Sequence, residues 1–228
     1  MGNVIVIGGG AAGLMAAYAA ASRGQRVVLL EKNEKLGKKI YITGKGRCNV
    51  TNDCPPEEFL ANVVRGGKFL TRAAYAFPPS RTMAFFEEQG LPLKVERGNR
   101  VFPVSDHASD VTKTLERACL RAGVEIRFGE TALEIERREN VVCAVRTQKT
   151  RYECDSVIVA TGGLSYPSTG STGDGYSFAE AMGHSCVPRV PSLVGIELVE
   201  DVSAAQGISL KNAVLTAKRG KKTVMSEM

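Results

Sequence analysis

The sequence predicts an α/β fold of the Rossmann type, with a parallel central sheet and an added β-meander. Three observations lead there. Residues 3–32 read as a strand, a glycine turn, an Ala-rich helix and a second strand, VIVIGGGAAG followed by LMAAYAAASRGQRVVLLEK. SVIVATGG (156–163) is a nearly all-apolar run ending in glycines, which suits a central parallel strand buried on both faces. Between them, VTKTLERACLRAG repeats apolar residues at helical spacing, at Val111, Leu115, Ala118, Cys119 and Ala122.

The elements follow in order. The first strand is expected at 3–8, a helix at 11–23 and the second strand at 26–31. The next segment, EKNEKLGKKIYITGKGRCNVTN (31–52), is too long and too rich in Gly, Asn and Thr for one regular element. Short helices are expected at 56–64 and 69–76, and an amphipathic helix at 80–90 with Ser80 as N-cap and Gly90 just past its end. LKVERGNRVFPV reads as a hairpin around Gly98-Asn99. Ser109 or Asp110 caps the next helix, which stops at Gly123. A strand at 124–129 and a meander at 131–137, 141–147 and 151–154 lead to the 156–163 run, and a helix follows at 175–183. From about 188 the pattern becomes β-like, with a hairpin in AVLTAKRGKKTVM. A cofactor-binding domain over 1–188 and the start of a β-rich domain over 189–228 are expected.

The N-terminal turn carries the first chemistry. Gly8, Gly10 and Gly13 match G-x-G-x-x-G, and Glu31 closes the second strand 18 residues after Gly13. Gly8 permits the tight turn, Gly10 lets backbone N–H groups reach a pyrophosphate, and Gly13 lets the helix lie against the strand. Ala17 and Gly24 fall where helix and sheet must approach and where the helix must stop. The helix N-terminus favours phosphate charge, and an acid at the end of the second strand accepts ribose hydroxyls. Gly8, Gly10, Ala11, Ala12, Gly13, Glu31 and the adjoining Lys32 are the candidates for a dinucleotide. The turn alone leaves NAD and FAD open.

Composition sets bounds. The chain has 228 residues with a net charge of +6, and part of its basic excess is local, at Lys211, Lys218, Arg219, Lys221 and Lys222, read as a solvated hairpin tip with no interleaved aromatics. No run reaches the ~20 apolar residues of a membrane span, and no signal peptide is recognisable, so a cytoplasmic location is the default expectation. The six cysteines (48, 54, 119, 143, 154, 186) form no C-x-x-C, which argues against zinc. Five residues lie between Cys48 and Cys54, one more than in a C-x-x-x-x-C redox pair, and Pro55 and Pro56 follow at once.

Four stretches together resemble a known family: GGGAAG with Glu31, GKKIYITGKGRCNVTN, RVFPVSDHASDV and ATGGLSYPSTGSTGDGYSFAEAMGH. They are similar to bacterial FAD-dependent oxidoreductases that include an aminoacetone oxidase and a reductase of bile-acid dehydroxylation. The resemblance covers nearly the whole chain. It implies a glutathione-reductase-like fold with non-covalent FAD and a β-rich inserted domain beginning near residue 190. On that resemblance, Lys38, Lys39, Gly44, Gly46, Arg47, Cys48 and Asn49 wrap the diphosphate and approach the flavin. Arg47 offsets phosphate charge, and Asn49 and Asn52 supply amide groups. Ala132 and Leu133 meet the adenine, and Ala160, Thr161, Gly162 and Gly163 admit close approach of the chain to the cofactor. Asp174 in TGDGY resembles a motif of the fumarate reductase flavoproteins; a plain helix N-cap is the other reading. Those flavoproteins can bind flavin covalently through a histidine after the second strand. Residues 31–52 contain none, and His107 and His184 are read as structural.

The expected function is hydride transfer through FAD to an unidentified small molecule, with NAD(P)H as a transient donor. The substrate, the catalytic residues and the oligomeric state stay open. Two alternatives remain: an NAD-dependent Rossmann enzyme, and a flavin-bearing protein that binds or modifies RNA. The long 31–52 segment disfavours the first, and the basic charge together with related folds that act on tRNA supports the second. The family's second glycine-acid motif is absent, so the 228 residues are expected to be the N-terminal part of a protein of roughly 400, with part of the FAD pocket missing.

Overall fold

A computed structural model describes residues 2–191, 197–208 and 213–227. Contacts divide the chain into two compact units, Met1–Cys186 and Val187–Met228.

In the first unit, four strands make a parallel sheet: β1 (Asn3–Ile7), β2 (Arg26–Glu31), β6 (Glu125–Phe128) and β10 (Ser156–Val159), in the order β10-β1-β2-β6. Successive side chains of a strand point to opposite faces. Val4, Val6, Val27 and Leu29 therefore pack on one side against α1 (Ala11–Ala21) and α5 (Ala108–Arg121), through Leu14, Ala17, Val111, Leu115, Ala118 and Cys119. Ile5, Ile7 and Leu30 face the other way. They meet Ile135, Val145 and Cys154 of the meander β7 (Ala132–Arg138), β8 (Val141–Thr147) and β9 (Arg151–Glu153), and Phe178 of α6 (Asp174–Ala181). The result is three layers: helices, parallel sheet, meander. Cys119 Sγ donates to Leu14 O at 3.2 Å and ties the two helices together.

The segment between β2 and α5 forms the smaller elements. A kinked 3₁₀ stretch spans Ile40–Gly46, with β3 (Thr51–Asn52) beyond it. Helices α2 (Pro56–Ala61), α3 (Gly67–Ala76) and α4 (Pro79–Glu88) come next. The hairpin β4 (Leu93–Glu96) and β5 (Arg100–Pro103) turns at Gly98-Asn99, both with positive φ, and β3 joins it in the order β3-β5-β4.

Several expectations need correction. The 156–163 run is not a central strand buried on both faces. Only Ser156–Val159 pair, on the edge of the described sheet, with Val159 42% exposed. β1 covers one side of this strand, and no described strand covers the other. Ser80 does not cap α4: Pro78 does, with Pro79 as the first helical residue, where a missing N–H costs nothing. Neither Ser109 nor Asp110 caps α5. His107 holds that position, and Asp110 lies in the first turn, where its charge suits the helix dipole. In the second unit, β11 (Leu215–Arg219) and β12 (Lys222–Glu227) form the expected hairpin. Residues 192–196 of the expected strand near 188–199 lie outside the described residues, and the described residues beside them form no strand.

Candidate functional site

A cavity of ≈ 820 Å³ opens at the C-terminal tips of β1, β2 and β10. This is the edge where parallel α/β sheets bind ligands, and the volume falls in the roughly 300–1,000 Å³ range of small-molecule sites. One wall is the turn from β1 into α1. Gly8 has φ +107, and a Cβ there would lie 2.5 Å from Ala160 O. A Cβ on Gly13 would lie 1.8 Å from Gly8 O. These two glycines serve packing. Gly10 differs: a Cβ there would meet nothing within 4 Å. Gly10 is the N-cap of α1, no side chain caps that helix, and its first turn has no acid. The first N–H groups of a helix have no partner within it. Those of α1 start at the stretch Gly10, Ala11, Ala12, all three of which line the cavity.

The second wall is the exit of β2. Glu31 is 6% exposed. Its Oε2 accepts from Gly9 N, and its Oε1 accepts from Asn33 N and Asn33 Nδ2, all at 2.7 Å. A carboxylate offers about four lone-pair sites, so three are already used within the protein. The acid thus fastens the glycine turn to the loop after β2 and keeps about one site for a ligand hydroxyl. Sequence reasoning missed Asn33; its position two residues beyond the acid was the available signal.

The third wall is 160–176. Lys32 Nζ donates to Asp174 Oδ2 at 2.8 Å and to Thr172 Oγ1 at 2.7 Å, and Thr172 Oγ1 donates to Asp174 Oδ1 at 2.8 Å. Lys39 Nζ donates to Ser165 O at 2.7 Å, and Asn33 Nδ2 donates to Thr169 O at 3.3 Å. Residues 32–39 are thereby laced to 165–174. Asp174 is the first residue of α6, and Gly173 is its N-cap, so the N-cap reading is corrected by one position. Burial pushes the Asp174 carboxyl up, but hydrogen bonds from Lys32 and Thr172 outweigh that and hold it below its usual value of 3.8. A depressed folded-state pKa stabilises the fold above the unfolded value and stops doing so as pH falls through the folded one. Asp174→Asn is therefore expected to cost up to about 1 kcal/mol at pH 6, since the pair is partly exposed, and less at pH 3. Urea unfolding of both proteins at the two pH values measures it; an equal cost at both would contradict the assignment.

Of the residues expected at the site, Gly8, Gly10, Ala11, Ala12, Glu31, Lys32, Lys38, Lys39, Cys48, Asn49, Ala132, Ala160, Thr161, Gly162, Gly163 and Asp174 line this cavity. Gly13, Gly44, Gly46, Arg47, Asn52 and Leu133 do not. Arg47 is drawn away by Glu96, which it holds with both nitrogens at 2.8 and 3.2 Å, and by Asp106 at 3.2 Å. Its guanidinium also lies 4.0 Å from the Phe102 ring centroid. Asn52 donates to Gly98 O at 2.8 Å in the hairpin turn. With its amide nitrogen turned toward them, Asn49 donates to Thr51 O at 2.8 Å and Val101 O at 3.2 Å. Lys38 pairs with Asn33 Oδ1 and Glu34, both at 3.1 Å. Cys48 sits at φ +63, and burial pushes its thiol up; Cys48 and Cys54 are both free thiols.

The residues present fit FAD on two observations. The open position at Gly10 stands at an uncapped helix N-terminus. Two buried polar atoms of lining residues, Thr161 Oγ1 and Glu130 Oε2, have no hydrogen-bond partner. Among the described residues, no three His, Cys, Asp or Glu side chains are grouped to hold a metal ion, and no helix is long and apolar enough to cross a membrane.

Known proteins share this fold. The family model described as HI0933-like protein Rossmann domain matches residues 2–219. A 3-dehydro-bile acid delta(4,6)-reductase of Clostridium scindens is 39% identical over 87% of this chain and 48% of its own length. A ribosomal RNA dihydrouridine synthase of Haemophilus influenzae is 32% identical over 95% of this chain and 58% of its own. The chain thus spans about half the length of the curated relatives it matches. The open conformation of a flavocytochrome c3 fumarate reductase shares the fold, with a TM-score of 0.62 at 21% identity over 79% of this chain and 40% of that one.

Proposed function

Since this chain belongs to the HI0933-like family of Rossmann-domain proteins, we propose that it is the cofactor-binding part of an FAD-dependent oxidoreductase. In this reading FAD is held without a covalent bond and serves hydride transfer to a small organic substrate. The observation that carries the reading is the uncapped α1 N-terminus and the buried Glu31 facing one cavity. Gly10, Ala11 and Ala12 hold the pyrophosphate by backbone N–H groups, and Glu31 with Asn33 orients the adenosine ribose. Ala160–Gly163 form the floor. Bound FAD supplies the two-electron chemistry, and the protein supplies orientation and exclusion of water. The likeness to a 3-dehydro-bile acid reductase favours an apolar substrate with a conjugated carbonyl, and NADH or NADPH is the expected reductant.

The test is anaerobic: the FAD-loaded protein is mixed with NADH or NADPH while the flavin absorbance is followed, then offered conjugated enones. Bleaching of the flavin bands and their return on adding an enone is the expected result. A colourless chain that binds NAD and no FAD would contradict the reading.

A second reading, action on RNA, has its own support. Two relatives carry the name ribosomal RNA dihydrouridine synthase, and an exposed face of α3 joins Lys68 and Arg72 with Phe69, which is 88% exposed. Cations beside an exposed aromatic suit a single strand. Salt-dependent binding of a ribosomal RNA fragment, weakened by Phe69→Ala, would favour it over the small-molecule reading.

A further inference from the structure

The cavity does not stop at the strand tips. It continues among the helices on the α1 side of the sheet, where Met15, Ile40, Thr82, Phe86, Val111 and Leu115 wall it. Ile40, Phe86, Val111 and Leu115 also belong to the core on that side, so the arm is a gap within a packed layer. Phe86 is held in place from behind. It meets Phe85 edge-on at 5.2 Å, and Phe85 meets Tyr18 edge-on at 5.1 Å. Core side chains around a gap forfeit contacts that an apolar group of the right shape would restore.

The direction of the cofactor selects that group. Glu31 and Asn33 lie beyond β2, and Glu130, Thr131 and Ala132 lie beyond β6. The acid after the second strand takes the adenosine half. On the FAD reading, the remainder would leave the α1 N-terminus the other way, past the lining residues of the 38–49 loop, toward the apolar arm. A flavin ring has a hydrogen-bonding pyrimidine edge and an apolar benzene edge bearing two methyl groups. We propose that the arm receives this dimethylbenzene edge, with Phe86 and Ile40 as walls and half-buried Thr82 beside them. The assignment rests on the FAD reading of the cavity.

Three ligands test it on the purified chain and its Thr82→Phe variant: ADP by calorimetry, then FAD and an FAD analogue lacking both ring methyls by flavin fluorescence. Thr82→Phe fills the arm from a helix position that is only half-buried, and a melting curve checks the fold. FAD is expected to weaken about tenfold or more in the variant, with ADP unchanged within about twofold. The analogue tests the same point without any substitution: having lost two buried methyls, it is expected to bind the unaltered chain about tenfold more weakly than FAD. Equal affinities for FAD and the analogue, with FAD equally tight in both proteins and ADP still bound, would overturn this placement and leave the FAD reading standing. Failure of the unaltered chain to bind either ADP or FAD would overturn both.

Discussion

One methyl group added at Gly13 is expected to destabilise the protein severely, whereas the same methyl at Gly10 is expected to leave it folded and empty its site. The Cβ of Gly13→Ala would fall 1.8 Å from the Gly8 carbonyl oxygen, a backbone atom held by the β1–α1 turn. Relief requires α1 to lift from β1, which exposes Leu14 and Ala17, both fully buried. A cost of about 4 kcal/mol or more is expected, a large share of the stability of an ordinary domain. Gly10 has an ordinary φ of −83°, and its Cβ direction is open. Gly10→Ala therefore costs no more than about 1 kcal/mol, the usual penalty for alanine at an N-cap. Its methyl stands where the pyrophosphate must approach the helix N-terminus, so FAD and ADP affinity should drop at least about tenfold. Urea unfolding and ADP calorimetry on the two variants separate the effects. Equal loss of stability in both would contradict the division of labour between these glycines.

Glu31→Ala should harm both the fold and the site. The side chain accepts from Gly9 N, Asn33 N and Asn33 Nδ2, and removing it leaves buried donors without a partner. An unsatisfied buried donor costs about 1–3 kcal/mol, so a stability loss of that size is expected. Ligand discrimination should change as well. The native chain is expected to prefer ADP over its 2′-deoxy or 3′-deoxy analogue, because the remaining lone-pair site of Glu31 accepts from the ribose. In Glu31→Ala that preference should vanish. If the preference survives, Glu31 is a structural clasp and the ribose is read elsewhere.

Much of this was legible from local pattern. The β1–α1–β2 unit follows from glycine spacing, an Ala-rich helix and two apolar runs, all within 31 residues. Each determinant lies close in sequence to the element it shapes. The 38–49 loop was legible in composition but not in role. Arg47 looks like a phosphate ligand until Glu96 and Asp106 claim it, 49 and 59 residues further on. Such pairing is decided by the β4–β5 hairpin folding over the loop, which no local pattern encodes. Lys39 lines the cavity as expected of it, but its partner Ser165 O lies 126 residues further on and was not legible locally. The run at 156–163 has the composition of a buried strand, but burial depends on neighbours, and β10 has a described neighbour on one side only. Phe86 and Thr82 were legible as residues of an amphipathic helix. Their place in the cavity wall depends on how α4 meets α1, a long-range contact.

The central claim is that one cavity binds the ADP half of FAD at the α1 N-terminus. Titration of the purified chain with FAD, followed by flavin fluorescence and then by displacement with ADP, tests it most directly. The expected result is one FAD per chain, displaced by ADP, with both affinities lost in Gly10→Ala. FAD that fails to bind, or that binds and resists ADP, would contradict the account.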